Sequence, residues 1–201
     1  MQIKAQSIHL YSRQHISGSH VIIAMVYLLI TGCAALDSPK VLPTATSVDL
    51  SRYVGKWYEV ARLPMWAQRN CLRSTAVYRL LDSGDLGVRN ACVTEEGERQ
   101  SIEGVATIID QEHHAKLNVV FDQWAAKLAA FFLSSEEGNY WILQVDPDYR
   151  YTVVGTPDRG YLWILARTPN LPEYTYQSLV MFSQGLGFAT ENLIRATQES
   201  Q

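Results

Sequence analysis

Apolar residues recur at every second position over most of the chain beyond residue 55. This period places alternate side chains on opposite faces of a strand, so that one face can be buried. Short β-branched and aromatic runs of this kind, separated by turn residues, are typical of strands in an all-β fold. The pattern predicts eight strands, over residues 56–63, 74–81, 86–93, 101–109, 115–121, 140–145, 151–155 and 161–167.

Turn-forming segments separate several of these strands. Residues 82–85, 136–139 and 157–160 combine Gly with Asp, Asn or Pro, which favours short hairpins between neighbouring antiparallel strands. At eight strands a closed barrel is wide enough for side chains or one small ligand, and closure removes the exposed sheet edges. The sequence therefore predicts an all-β protein with an eight-stranded antiparallel up-and-down β-barrel.

The pattern changes after the last predicted strand. Apolar residues then follow helical spacing at Tyr176, Leu179, Phe182 and Leu186, and Gly187 comes next as a C-terminal stop. This spacing predicts one amphipathic C-terminal α-helix that packs outside the barrel.

The N-terminal segment has the order of an export signal. Lys4 and Arg13 precede an uncharged run over residues 21–30, which is too short to span a bilayer. The small residues that lead into Cys33 resemble the lipobox of bacterial lipoproteins. That resemblance implies a signal peptide over residues 1–32 and a diacylglycerol group on the Cys33 thiol. The alternatives are an ordinary secretory leader cut near Ala34 or Ala35 and a buried core segment.

Sorting and tethering follow from the residues after the lipidated cysteine. In enterobacterial lipoproteins a residue other than Asp directly after the lipidated cysteine implies sorting to the outer membrane. With Ala34 at that position, the resemblance implies an outer-membrane anchor with the barrel in the periplasm. Residues 33–51 are rich in Pro, Ser and Thr, a composition that buries little surface. We therefore expect a lipid-anchored flexible tether over residues 33–51, followed by the barrel domain over residues 52–201.

Lipidation would leave two cysteines, Cys71 and Cys92. An even pair in an oxidising compartment predicts a disulfide. On the chain-entropy model a loop of about 20 residues contributes roughly 3 kcal/mol of stability. A reactive free thiol is the alternative.

Charge excludes some partners. The 201-residue chain has a formal net charge of -3, and removal of Lys4 and Arg13 with the leader makes the balance more acidic. A protein without a basic surface is a poor ligand for nucleic acid, and it does not adhere to anionic lipid by charge alone. Membrane association must then come from the lipid anchor.

Three short motifs carry a family resemblance. Gly55 and Trp57 open the first strand, Asp148 and Tyr149 precede the seventh, and Arg167 ends the eighth. This set resembles the three signature regions of the lipocalin (calycin) family. The string over residues 157–169 is similar to that of the bacterial outer-membrane lipocalins and of apolipoprotein D.

The resemblance implies structural roles for these signature residues. Trp57 would plug the closed end of the barrel while Arg167 lies across its indole, and Asp148 and Tyr149 would support the same end. The chain departs from the family pattern at Pro147 and in a longer segment over residues 122–138.

Alternation from Trp57 and Arg167 predicts which side chains face the interior. Ala61 on the first strand follows directly from Trp57. The predicted cavity lining is Ala76, Tyr78, Val88, Asn90, Ala106, Ile108, Leu117, Val119, Phe121, Tyr151, Val153, Tyr161, Trp163 and Leu165. Small residues beside large aromatic ones leave room for a ligand, whereas the alternative is a solid core.

Residues 64–73 border the predicted mouth of the barrel. They carry Met65 and Trp66 as an apolar flap beside Arg69 and Arg73, whose guanidinium groups suit a carboxylate or phosphate. The predicted ligand is therefore a small hydrophobic molecule, a fatty acid or a lysophospholipid. The alternative is that both arginines are solvated surface charges.

Residues 122–138 border the same mouth and are more apolar than a solvated loop. The apolar residues around Lys127 are Trp124, Leu128, Phe131, Phe132 and Leu133. They predict a lid or a contact with a second subunit in a homodimer, with membrane contact as the alternative.

Candidates for catalysis are few. His113 and His114 lie beside a turn at the closed end, and no motif for metal, nucleotide or hydrolase chemistry is present. Without an inward histidine, haem is a weak candidate, and we expect no cofactor. The sequence favours a binding protein over an enzyme. If Cys92 were free, its thiol would instead favour an enzyme that uses a thiol inside the barrel. A barrel filled with side chains would indicate a structural envelope protein.

Overall fold

A computed structural model of the chain describes residues 41–122 and 137–196. Nine strands form one sheet: β1 (Gly55–Arg62), β2 (Cys71–Leu80), β3 (Leu86–Thr94), β4 (Arg99–Ile108), β5 (Lys116–Phe121), β6 (Tyr140–Val145), β7 (Tyr151–Gly155), β8 (Leu162–Ala166) and β9 (Ile194–Arg195). The helices are α1 (Leu50–Tyr53) and α2 (Glu173–Gly185), with 3-10 turns at Trp66–Gln68 and Thr190–Asn192.

The sheet closes into an up-and-down barrel. Each strand from β1 to β7 pairs antiparallel with the next, and β8 pairs with β1. The short β9 pairs with β1 at Ala61 and Arg62, beyond the part of β1 that pairs with β2. The predicted eight-stranded antiparallel barrel is therefore confirmed, and β9 is an addition that the sequence pattern did not reveal.

The N-terminal part of the described chain packs against the barrel. Leu42 and Val48 are buried, and the Val48 N–H donates to the carbonyl of His113 at 2.8 Å. The prediction of a flexible tether is therefore wrong for residues 41–51, because these two apolar side chains supply the burial that the Pro, Ser and Thr content obscures. The signal peptide and the anchor at Cys33 lie outside the described residues.

Two apolar cores lie on either side of the barrel wall. One fills the closed half of the interior around Trp57. The other lies outside, where Tyr176 and Leu179 of α2 cover the outer faces of β1, β6, β7 and β8. The predicted external C-terminal helix is thus confirmed.

Predicted inward positions on two strands are wrong, for a different reason on each strand. In β1 the pairing with β8 shifts register between Glu59 and Ala61, so Ala61 packs in the outer core. In β7 both faces are buried because α2 covers the outer one. Val153 is part of the outer core with Tyr151 packed against it, whereas Val154 lies in the inner core.

The signature contact at the closed end is present. Trp57 is fully buried, its Nε1 donates to the Tyr53 carbonyl at 2.8 Å, and the Arg167 Cζ lies 3.8 Å from the centre of its ring. Gly55 has a φ of +96°, which side chains rarely adopt, and an added Cβ there would approach Arg167 to 3.3 Å.

The second signature region supports the same end through different atoms from those expected. The carboxylate of Asp148 is exposed, whereas the buried Asp146 accepts from Arg150 Nε at 2.7 Å and Nη2 at 2.9 Å. These hydrogen bonds lower the pKa of Asp146 to about 2. Tyr149 does have the structural role expected of it, because its hydroxyl accepts from the Asp49 N–H at 2.7 Å.

Within residues 41–122 and 137–196, no helix combines the length and the apolar character needed to cross a bilayer.

Candidate ligand cavity

A cavity of about 480 Å³ lies inside the barrel above the core around Trp57. Eight of the side chains predicted to face the interior line it: Ala76, Tyr78, Val88, Asn90, Val119, Phe121, Trp163 and Leu165. They come from β2, β3, β5 and β8, where the alternation is undisturbed over the relevant residues. Most of the lining is apolar, which suits an aliphatic ligand.

Other predicted lining residues lie elsewhere. Ala106, Ile108 and Leu117 pack in the inner core below the cavity, where β4 and β5 reach the closed end. Tyr161 precedes β8 and lies with its ring 6.2 Å from that of Trp163, outside the set of lining residues. Tyr151, like Val153, lies on the outer face.

The predicted anion clamp does not line the cavity. Arg69 and Trp66 are both exposed, with the Arg69 Cζ 4.7 Å from the Trp66 ring centre. β2 begins at Cys71 rather than at the predicted residue 74, so Arg73 belongs to the strand. It is next to the inward-facing Ser74 and therefore lies on the outer face, away from the cavity. Of the predicted flap, Met65 alone is buried against the cavity.

A buried polar network that the sequence reasoning missed lines the cavity near its mouth. Gln68 donates from Nε2 to Glu59 at 2.8 Å and to Ser74 Oγ at 3.2 Å, and it accepts from Trp163 Nε1 at 3.2 Å. These bonds tie the 3-10 turn after β1 to β1, β2 and β8. Glu59 lies two residues from Trp57, so the alternation that places Trp57 inward also places Glu59 inward. The predicted lining left it out because a carboxylate is not expected among apolar side chains.

Arg62 is the cation of this network. Its Nε lies 3.2 Å from Glu59 Oε1, and its Nη2 donates to the Gln68 carbonyl at 2.7 Å. Both side chains are almost fully buried. Burial raises the pKa of Glu59, while Gln68, Arg62 and Ser74 act in the opposite direction.

Three tyrosines form the floor of the cavity. The hydroxyl of Tyr78 donates to that of Tyr140 at 2.9 Å, and the hydroxyls of Tyr53 and Tyr140 are also 2.9 Å apart. Tyr53 connects this cluster to the plug, since its ring centre is 5.1 Å from that of Trp57. Burial raises the pKa of Tyr53 to about 12 and also raises the pKa values of Tyr78 and Tyr140, so all three remain neutral phenols at neutral pH.

The predicted disulfide is present and lines the cavity. Cys71 and Cys92 are bonded, with their Cα atoms 5.6 Å apart, and they join the mouth ends of β2 and β3. Cys92 faces inward as the alternation indicated. Because it is bonded, the thiol that an enzyme in this barrel would use is not free in this structure.

Comparison with known proteins places these features in a family. The family model of the Lipocalin-like domain matches residues 48–198. Temperature-induced lipocalin-1 of Arabidopsis thaliana is 35% identical over 166 residues, which cover 81% of this chain and 86% of that protein. Outer membrane lipoprotein Blc of Citrobacter freundii is 32% identical over 171 residues, covering 85% of this chain and 90% of the relative.

The fold is also similar to solved structures of low sequence identity. The cockroach allergen Per a 4 superposes with a TM-score of 0.58 at 18% identity, over 81% of this chain and 96% of the allergen. At this identity the similarity bears on the fold alone.

Proposed function

The chain belongs to the lipocalin-like family, and on that premise we propose that its barrel binds the aliphatic chain of a fatty acid or lysophospholipid. The observation that carries the proposal is the cavity of about 480 Å³ with a mostly apolar lining. Its size lies within the range of pockets that enclose small ligands. We assign the protein a binding or transport role rather than catalysis.

The acyl chain would lie against the side chains in the middle of the cavity. Val88, Val119, Phe121 and Leu165 come from three different strands, β3, β5 and β8, and offer apolar contact around a chain. Trp163 lies nearer the mouth, where β8 begins. Burial would dominate the affinity, because each buried methylene contributes about 0.8 kcal/mol before the costs of association.

An anionic head group would remain outside the cavity mouth. Glu59 is buried on the cavity wall, and its partner Arg62 is already engaged in the ion pair. Entry with the tail first leaves the head group in water and avoids the cost of burying its charge. Arg69 is exposed beside Trp66, on the connection that borders the mouth, and is available to a head group there.

We further propose that this binding takes place in a bacterial envelope. The lipobox ending at Cys33 supports a lipid anchor, and relatives named outer membrane lipoprotein Blc support the outer membrane as the location. The barrel would then lie in the periplasm, where it would exchange its ligand with the lipid phase.

The test is a titration of delipidated protein with fatty acids of increasing chain length, followed by tryptophan emission. We expect affinity to rise with each added methylene. The emission change should be reduced in Trp163→Phe but kept in Trp66→Phe, which makes the same substitution at a side chain that does not line the cavity. Affinity that is independent of chain length would contradict an acyl pocket.

A further inference from the structure

The floor of the cavity contains polar atoms where an all-hydrocarbon ligand would need none. Tyr78 and Tyr140 line the cavity, while Tyr53 packs behind them. Because these phenols are neutral, each has one proton to donate and lone pairs to accept. How those protons are distributed decides which ligand groups fit the floor.

Tyr78 presents an acceptor to the cavity. Its proton is used in the hydrogen bond to Tyr140 at 2.9 Å, so its oxygen keeps free lone pairs and has no proton left to give. A ligand group that donates a hydrogen bond would find a partner at this oxygen.

Tyr140 has two proton arrangements, since either it or Tyr53 can donate in the bond between them. If Tyr140 donates to Tyr53, then Tyr140 also offers the cavity only lone pairs. If Tyr53 donates, the proton of Tyr140 is free. A ligand hydroxyl suits both arrangements because it donates to Tyr78 and can accept from Tyr140, whereas a carboxylate or ether oxygen suits only the second.

A second acceptor points into the same part of the cavity. Asn90 lies on β3 opposite Ala76, one inward position from Tyr78 and towards the mouth. Its Oδ1 is buried and has no hydrogen-bond partner among the described residues. A buried acceptor without a donor is costly, so this side of the cavity is also complementary to a ligand that carries a proton donor.

We propose that the floor is a subsite for a hydroxyl group carried at the buried end of the ligand's aliphatic chain. This inference rests on the proposed function and narrows it, since the preferred ligand is an ω-hydroxylated amphiphile rather than a plain acyl chain. Tyr78 is the specificity-determining residue, and Tyr140 supports it.

The experiment compares three ligands of equal chain length by calorimetric titration of delipidated protein. The ligands are hexadecanoic acid, its ω-hydroxy derivative, and its α-hydroxy derivative, in which the hydroxyl stays beside the head group. The corresponding three dodecanoic acids are titrated as well, in case the shorter chain is the one that places its ω-hydroxyl at the floor. We expect the wild type to bind the ω-hydroxy acid of the fitting length roughly fivefold tighter than its α-hydroxy isomer, the gain typical of one buried hydrogen bond.

Variants assign this preference to the floor. Tyr78→Phe should reduce the ratio between the two isomers to about one or below, because an unpaired hydroxyl is then buried. Tyr174→Phe makes the same change at an exposed residue of α2 and should leave the ratio unchanged. Tyr140→Phe provides a second test, with the same direction expected, and thermal unfolding checks that each variant is folded.

The possible outcomes separate this inference from the function on which it rests. An equal affinity for the isomers in the wild type at both lengths, or a preference that survives in folded Tyr78→Phe and Tyr140→Phe, would overturn the hydroxyl subsite and leave the acyl pocket intact. If none of the acids binds the wild type, the proposed function fails and the subsite with it.

Discussion

A single arginine connects four backbone carbonyls at the closed end of the barrel. Arg167 donates to the carbonyls of Arg52, Tyr53, Lys56 and Tyr149, at distances from 2.7 to 3.3 Å. These carbonyls come from α1, the start of β1 and the turn before β7. One side chain therefore holds together segments that are distant in the sequence, in addition to covering the indole beneath it.

Removal of this side chain should destabilise the fold. We expect Arg167→Ala to lower the free energy of unfolding by about 1 to 3 kcal/mol, because it removes the cation-π contact with Trp57 and the packing of the alkyl stem. Chemical denaturation measures the change. Arg52→Ala is the matched control, since Arg52 makes a similar contact with Tyr149 at an exposed site and should cost under about 1 kcal/mol. Equal unfolding of wild type and Arg167→Ala would refute the role given to this contact.

At the scale of residues, the lining of the cavity could be predicted on strands where inward apolar side chains alternate with outward polar ones. On strands without this alternation the prediction failed. Ala76 and Val88 were placed correctly because polar neighbours mark the outer face of their strands. The prediction failed at Val153, since α2 buries the outer face of β7 and removes the polar signal. It failed again at Arg73, because β2 begins three residues earlier than predicted and places this side chain on the outer face of a strand instead of in the connection at the mouth.

At the scale of elements, the strands could be predicted with bounds close to those in the structure, because turn residues interrupt each run. The segment after β1 could not. Its 3-10 turn is held by hydrogen bonds of Gln68 to groups on three strands, and such long-range bonds have no periodic signature in the sequence. The ordered stretch over residues 41–49 was missed for a similar reason, since its order depends on backbone bonds to His113 and Ile142.

The mouth ends of β2 and β3 are joined by the disulfide, and its removal should weaken the fold. We expect the double variant Cys71→Ser with Cys92→Ser to lose about 3 kcal/mol of unfolding free energy, because a loop spanning 21 positions is no longer closed in the unfolded chain. Denaturant unfolding with and without a reductant measures this. The reductant should destabilise the wild type by a similar amount and leave the double variant unchanged. A wild type that is insensitive to reductant under unfolding conditions would count against the disulfide.

At the scale of the whole molecule, we propose that the N-terminal segment anchors the barrel to a membrane. We expect mature protein to begin at an acylated Cys33, which mass spectrometry of membrane-extracted protein would detect. Cys33→Ser should give unprocessed or released protein on membrane fractionation. Cys71→Ser, which changes a cysteine in the barrel, should remain anchored. Normal processing and membrane retention of Cys33→Ser would contradict the proposal that the protein is a lipoprotein.

The central claim, that an acyl chain occupies the barrel interior, is tested most directly by obstructing the cavity from one wall. Ala76 lines the cavity, whereas its neighbour Val77 lies on the opposite face of β2 and is 40% exposed. Ala76→Phe should fill part of the cavity and lower the affinity for hexadecanoic acid by at least about tenfold. The fold should be retained because the added ring enters empty space. The control Val77→Phe should leave the affinity unchanged. A folded Ala76→Phe that binds the acid as tightly as the wild type would contradict the account, because the ligand would then lie outside the barrel.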